Sequence, residues 1–251
     1  MLDLPDLTTW RLPAAIGVLV VLLIAETLWP FFEFAPRGDA ARPGRLRHGT
    51  VNVAYGVLNG LIIRFGFLAA WIAAMQWSAE NQVGALYWTP IPAFTRALAA
   101  VLLLDLWTYA WHRLNHVVPF LWRFHRVHHS DREMDVTTAN RFHVGEIIAS
   151  SLLRIPVFVL IGCRPEELAL YEVLLFAVVQ FHHANIGLPE WLDRALRLVI
   201  VTPHLHKVHH SVVVADQQAN FSSLFSWWDR LARTLRIAPN LTQIRFGVDE
   251  R

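Results

Sequence analysis

Long apolar stretches separated by short polar ones dominate the chain. The first, residues 12–34, is long enough to span a hydrocarbon core of roughly 30 Å, carries Glu26 within it and gives way at Pro36. A loop with Arg37, Arg42, Arg45 and Arg47 and the breakers Pro43 and Gly44 follows. Its arginines assign it to the cytoplasm by the positive-inside rule. A second span, residues 51–77, is apolar apart from Asn52, Asn59 and Arg64. The segment 78–92 has no lysine or arginine and belongs on the far side. A third span, residues 94–111, returns the chain to the cytoplasm and runs into His112. Residues 145–160 and 167–181 are each marginal in length for a crossing and are broken by Gly162-Cys-Arg-Pro165, which predicts a re-entrant helical hairpin.

The fold class expected is therefore all-α: an integral membrane helical bundle of about three spans plus the hairpin, with a cytoplasmic histidine-rich cap. It reads as one membrane domain: anchor spans over 1–99, a catalytic region over 100–234 and a tail over 235–251. Composition agrees, with 55% hydrophobic and 17% charged residues. The net charge of +2 is too mild to indicate a nucleic-acid partner. The single cysteine, Cys163, excludes an internal disulfide and any CxxC site. The first apolar run is preceded by Asp3 and Asp6 rather than a basic region, which argues against a cleavable signal.

The chemistry concentrates in histidine. His125-Arg-Val-His-His129 and His206-Lys-Val-His-His210 are both HxxHH, and on a helix positions i, i+3 and i+4 share a face, so three rings are expected to converge. The adjacent pairs His128-His129 and His209-His210 sit about 100° apart around the axis and can serve two different metals. His112 and His116 form an HxxxH pair. A lone histidine on an apolar face is usually a core hydrogen-bonder, but clusters at helical spacing suit Fe, Zn, Cu or Ni. The hairpin puts the third box on the side of the first two. An all-imidazole site carries no ligand charge, so Asp105, Glu146 and Asp229 are candidates to balance the metals. Asp105 is either the hydrogen-bond partner of His112 or a charge partner for Arg64 or Arg113. Trp107, Tyr109, Trp111 and Phe120 form an interface belt or line a lipid entrance. Arg123, Arg126 and Arg141 bind a lipid phosphate or pair at the surface.

Order and flanks of these boxes resemble the fatty acid hydroxylase superfamily, also called the sterol desaturase family. The resemblance runs through Asp105-Leu-Trp-Thr-Tyr-Ala-Trp-His112, Leu121-Trp-Arg-Phe-His125-Arg-Val-His-His-Ser130, Thr138-Ala-Asn-Arg-Phe-His143-Val-Gly-Glu146, Phe181-His-His183-Ala-Asn185, Thr202-Pro-His-Leu-His206-Lys-Val-His-His-Ser211 and Trp228-Asp229-Arg230-Leu, covering roughly residues 100–234. It implies a non-haem di-iron centre held by His112, His116, His125, His128, His129, His143, His183, His206, His209 and His210. His182 and His204 are extra to the pattern, and Ala232-Arg-Thr234 departs from its ending. It further implies O2 as co-substrate, a lipid substrate that is sterol, fatty acyl or related, hydroxylation or desaturation as the outcome, and an external donor such as a ferredoxin or a cytochrome b5-like protein with its reductase. The expected location is a bacterial inner membrane with the boxes facing the cytoplasm.

Three rivals are weighed. A zinc protease would need HExxH, which is absent, since His143-Val-Gly-Glu146 has its Glu at the wrong spacing. A haem carrier would need facing histidines inside the spans. The alternative that spacing leaves open is a non-enzymatic metal transporter or sensor, whose ligands would be spread along a path through the membrane.

Overall fold

Within a bilayer every backbone N–H must find its acceptor inside the segment, so apolar runs of this length become helices. The computed structural model describes residues 7–33 and 44–248. The elements are α1 (Leu7–Leu28), α2 (Arg45–Ile62), a π-helical turn (Ile63–Phe67), α3 (Leu68–Asn81), α4 (Ala93–Val117), α5 (Pro119–His129), α6 (Val144–Ile161), α7 (Pro165–His183), α8 (Glu190–Leu196), α9 (Pro203–His209), α10 (Val214–Gln217) and α11 (Trp227–Leu231). Among the described residues, β pairing is confined to isolated bridges. The all-α expectation holds.

Among the described residues three helices are long and apolar enough to cross a membrane: Arg45–Tyr87, Ala93–Val117 and Val144–Ile161. Three of the expected limits change. The first apolar stretch is helical only to Leu28, because Pro30 cannot continue the ladder, and Leu12–Leu28 falls among the shorter apolar helices. The predicted loop arginines Arg37 and Arg42 lie outside the described residues, whereas Arg45 and Arg47 open α2. Of the expected hairpin, α6 is long enough to cross in full, while α7 carries Glu166, Glu167 and Glu172 and is not among the candidate spans.

The helices are polar on the inside. α2 buries His48, Asn52 and Asn59 and exposes Val57, Leu58 and Leu61. This is the arrangement expected where the surroundings are as apolar as leucine and interior contacts must come from packing and hydrogen bonds. An apolar core joins α3, α4, α6 and α7 through Trp71, Met75, Leu104, Phe158, Tyr171 and Leu175. Trp71 donates its indole N–H to the Ser151 carbonyl at 2.9 Å and meets Phe158 edge-on at 5.6 Å.

Each end of the bundle has its own lock. At one end, Arg96 pairs with Glu167 at 2.7 Å and donates to the carbonyls of Leu86 and Gly162, joining the α3–α4 and α6–α7 connections. There Gly84 (φ +122°) approaches so closely that a Cβ would lie 2.3 Å from the Gly162 nitrogen. At the other end the Glu26 carboxylate, fully buried, takes Arg45 at 2.8 Å and the backbone N–H groups of Val136 at 3.0 Å and Asn185 at 2.9 Å. Asn185 brackets Phe32 from both sides, which ties the end of α1 to the chain leaving α7. Substituting Glu26→Ala leaves the buried N–H groups of Val136 and Asn185 without their acceptor, so it should cost about 2–5 kcal/mol, with Glu26→Gln losing less. Unfolding by SDS titration in mixed micelles measures this, and an unchanged midpoint for the alanine variant contradicts the assignment.

Candidate metal centre

The first pair of histidines comes from α4, which continues for a turn past the expected end of its span, so that His112 and His116 stand on one face with ring centroids 5.2 Å apart. Pro119 stops α4 and starts α5, where proline at the first helical position has no N–H to lose. α5 is amphipathic and buries His125, His128 and His129. α7 ends at His182-His183. α9 opens on Thr202, whose side chain accepts the Leu205 N–H and donates to Asp193, and closes at His209 with His210 next in line.

These elements bring the rings together in two groups. His112, His116, His125, His129 and His209 form one; His128, His183, His206 and His210 form the other. Within each group the candidate donor atoms all lie within 4.8 Å of one another, and every residue is buried. The adjacent pairs divide as their 100° offset predicts: His129 and His209 face one group, His128 and His210 the other. The three rings of an HxxHH box do not converge on one spot, which corrects that expectation. The i and i+4 rings stay together and the i+3 ring crosses over, in opposite senses in the two boxes. The groups adjoin, with His129 stacked on His210 at 4.4 Å.

Hydrogen bonds decide which nitrogen of each ring is available. His112 Nδ1 lies 2.7 Å from the Phe221 carbonyl, and His209 Nδ1 2.7 Å from the Ala219 carbonyl. A carbonyl only accepts, so both Nδ1 atoms carry the proton and both Nε2 atoms present lone pairs. Those two Nε2 atoms face each other at 2.9 Å. A proton shared there would need a charged imidazole, yet burial pushes His209 down to about 3. Facing lone pairs in a dry interior call for a cation between them. Two imidazoles on one metal at about 2.1 Å, subtending 90–110°, would hold their nitrogens about 3.0–3.4 Å apart. In the second group, His183 Nδ1 donates to Val179 at 2.7 Å, and the Nε2 atoms follow one another from His128 to His183 at 3.2 Å, to His206 at 3.0 Å and to His210 at 3.1 Å. Both nitrogens of His116 and His129 and the Nε2 of His125 are buried without a hydrogen-bond partner. The residues present fit two metal ions.

Carboxylates support the cage from behind. Glu146 accepts His125 Nδ1–H at 3.0 Å and Asn115 at 3.3 Å. Asp229 takes the N–H groups of Phe221 at 2.8 Å and Ser222 at 2.9 Å, and so fixes the carbonyl that orients His112. Asp105 fills neither role expected of it. It accepts from the backbone of Phe225 at 3.0 Å and Leu224 at 3.3 Å and from Trp228 at 2.8 Å, while Arg64 and Arg113 are exposed. Its anchoring of the chain before α11 explains its burial.

His143 is the one expected ligand that the structure does not bring into either group. Its Nδ1 accepts the Gly145 N–H at 2.9 Å, capping α6, and its ring stacks on Phe124. His182 stacks on His206 at 3.9 Å and His204 faces Asp193, both outside the two groups. Tyr109 and Trp111 are buried rather than belt residues, leaving Phe120 exposed. Arg141 is engaged by the Val127 carbonyl, Asn52 and Ser130.

Other contributors had no sequence signal. Asp131 stands two residues past His129 and is held by His48 at 2.8 Å, Asn52 at 3.2 Å and Thr138 at 2.7 Å. Burial alone would raise its carboxyl, but these hydrogen bonds, His48 first, bring it down to about 2. Lys207, the chain's sole lysine, is fully buried and donates to Ala184 at 2.9 Å, joining α9 to the end of α7. Burial pushes its ammonium down to about 7.

A profile described as fatty acid hydroxylase matches residues 97–234. The chain belongs to the fatty acid hydroxylase family. That match takes in both histidine groups from His112 to His210. Among curated relatives, ornithine lipid hydroxylase of Rhizobium tropici is 24% identical over 245 residues, 95% of this chain and 71% of that protein. Human cholesterol 25-hydroxylase is 30% identical over 142 residues, 56% of this chain and 51% of that protein. Human alkylglycerol monooxygenase is 27% identical over 194 residues, 76% of this chain and 41% of that protein. The chain thus spans about half of the cholesterol 25-hydroxylase and less than half of the alkylglycerol monooxygenase. No solved structure matches it.

Two outcomes follow for this member of the family. Burial, then neighbouring rings, hold His128, His129, His206 and His210 well below the ordinary range, and burial brings His209 to about 3. In the unfolded chain these groups titrate near 6.5. The unfolded state therefore binds more protons between about 6.5 and 3, and stability must fall as pH drops through that window. Metal-free protein in detergent should melt at progressively lower temperatures as pH falls below about 6.5, with a shallower slope in His209→Gln; a flat profile from pH 6.5 to 5 contradicts this. Separately, Glu146→Gln should weaken metal retention about 10–100-fold, read by competition with a chelator.

Proposed function

We propose that the protein is a membrane-bound, O2-dependent lipid hydroxylase whose two histidine groups hold two iron ions. The observation that carries this reading is the pair of facing lone pairs on His112 and His209, within nine buried imidazoles at one end of apolar helices. Iron bound there would supply the activation of O2 for attack on an unactivated C–H bond.

The chain's own residues bind and orient. Carbonyls of Phe221, Ala219 and Val179 and the Glu146 carboxylate fix four rings as Nδ1–H tautomers, so that Nε2 is the ligating atom. The metals would come to His112, His116, His125, His129 and His209 in one site and to His128, His183, His206 and His210 in the other, leaving His143 as a helix cap. Burial of every ring excludes water, which protects an oxidising site from side reactions. Inserting one oxygen atom into C–H and reducing the other to water takes up two electrons and two protons. An external ferredoxin or cytochrome b5-like protein with its reductase would deliver the electrons.

The substrate class follows from the setting. Exposed leucines and valines on α1, α2 and α6 face the bilayer, so an apolar chain can reach the site laterally. The named relatives act on an ornithine lipid, cholesterol and alkylglycerols, lipids with unlike headgroups, and all are hydroxylases or monooxygenases. Hydroxylation is favoured over desaturation on that ground. The arginines at the start of α2 favour an orientation with the histidines toward the cytoplasm. A metal transporter is not favoured, because the ligands gather at one place instead of tracing a path across the membrane.

Metal analysis and Mössbauer spectroscopy of purified protein should give two irons per chain. Cells expressing it should contain a lipid one oxygen atom heavier, incorporated from 18O2, that is lost in His209→Ala and in His128→Ala. Identical lipid profiles in wild type and both variants overturn the reading.

A further inference from the structure

One aromatic residue connects the buried rings to the outside. Trp122, on α5, is half-buried, and its ring lies 5.0 Å from His116, 5.5 Å from His129 and 6.2 Å from His125. It therefore touches three members of one histidine group while keeping an outer edge toward solvent. Arg126 stands one helical turn on from it and Arg123 beside it, and both are exposed. Arg123 leans over the Phe120 ring at 6.0 Å. No carboxylate among the described residues pairs with either guanidinium. Asp131, the acidic residue closest in sequence beyond α5, is buried and already held by His48.

The apolar surface stops at this point. Phe120 is 59% exposed, and the next exposed large apolar side chain along the sequence is Ile148. An α5 face turned to lipid would continue the apolar stripe beyond Phe120, whereas this face continues as arginine. That pattern suits an aqueous, acidic protein surface better than the bilayer.

We infer that the outer face of α5 around Arg123 and Arg126 is the docking surface for an acidic one-electron carrier protein, with Trp122 as the point of electron entry to the metal site. The inference rests on the reading of the site as an oxygenase centre. Two unpaired cations beside an aromatic edge give charge complementarity, which steers an acidic partner and sets its register. Electron tunnelling falls steeply with distance, and a ring in contact with three candidate ligands shortens the gap that a docked carrier must bridge. The carrier is oxidised by one electron at each docking. Two such electrons, with two protons from water, complete the reduction of one O2 to the new hydroxyl and one water per lipid.

The test uses full-length, iron-loaded protein in detergent micelles and an acidic [2Fe–2S] ferredoxin as probe. Wild type should bind the ferredoxin with an affinity that weakens as salt rises. The double variant Arg123→Glu/Arg126→Glu should bind at least tenfold more weakly, with the salt dependence lost, while sodium dithionite reduces its iron as in wild type. Trp122→Leu should leave ferredoxin binding intact and slow ferredoxin-driven iron reduction tenfold or more, with Trp122→Phe restoring part of the rate. Unchanged binding in the charge-reversed protein overturns the docking surface. So does a variant that keeps ferredoxin binding but loses affinity for phosphatidylglycerol vesicles, since the arginines would then serve the membrane. If dithionite produces no change in the Mössbauer spectrum of wild type, the oxygenase reading itself fails, and this inference with it.

Discussion

Imidazole lone pairs that have nowhere to go govern this structure. A neutral ring offers one donor and one acceptor nitrogen, and a backbone carbonyl that claims Nδ1–H commits Nε2 to acceptance. For His112 and His209 both commitments are made, and the two Nε2 atoms meet at 2.9 Å in a site without solvent access. Buried acceptors without donors are costly. A cation relieves the conflict where a proton does not, because burial holds His209 at about 3. Metal bound there would thus couple its binding energy to the folding of the whole cap.

Meeting that constraint engages elements distant in sequence. The Phe221 carbonyl is fixed by Asp229, which also receives the Thr234 hydroxyl at 2.7 Å. Asp105, on α4, holds the segment at Leu224 and Phe225. His48 and Asn52, on α2, hold Asp131 just beyond α5. Glu26, at the end of α1, holds Val136 and Asn185, and Lys207 joins α9 to the end of α7. The apolar helices α1, α2 and α4 are therefore braces for the site. The polar side chains they bury are the ones an apolar pattern would leave unexplained.

Under the proposed function one side of the cage would face lipid and another water. Apolar helices would supply lateral access for a long hydrocarbon, and α5 separates the buried rings from an arginine-bearing surface. Both would be used, since the substrate would be sparingly soluble and the electrons would arrive with a soluble or peripheral protein. A short helix with buried histidines on one face and charge on the other would keep these two traffic routes apart.

By itself the sequence determined the helical class, the placing of the boxes at helix ends, and the division of adjacent histidines between two sites, since all three depend on local periodicity. It also carried the family motifs from residue 105 onward. Only the tertiary structure decided which box ring crosses to which group, because the exchange of His128 and His209 depends on how α5 and α9 meet α4 and α7. It likewise turned His143 into a helix cap, Asp105 into an anchor for the chain before α11, and the Phe221 and Ala219 carbonyls into the groups that orient two ligands. Backbone carbonyls have no sequence signature, and a carboxylate's partner is set by contacts more than a hundred residues away, so no spacing rule could have supplied them.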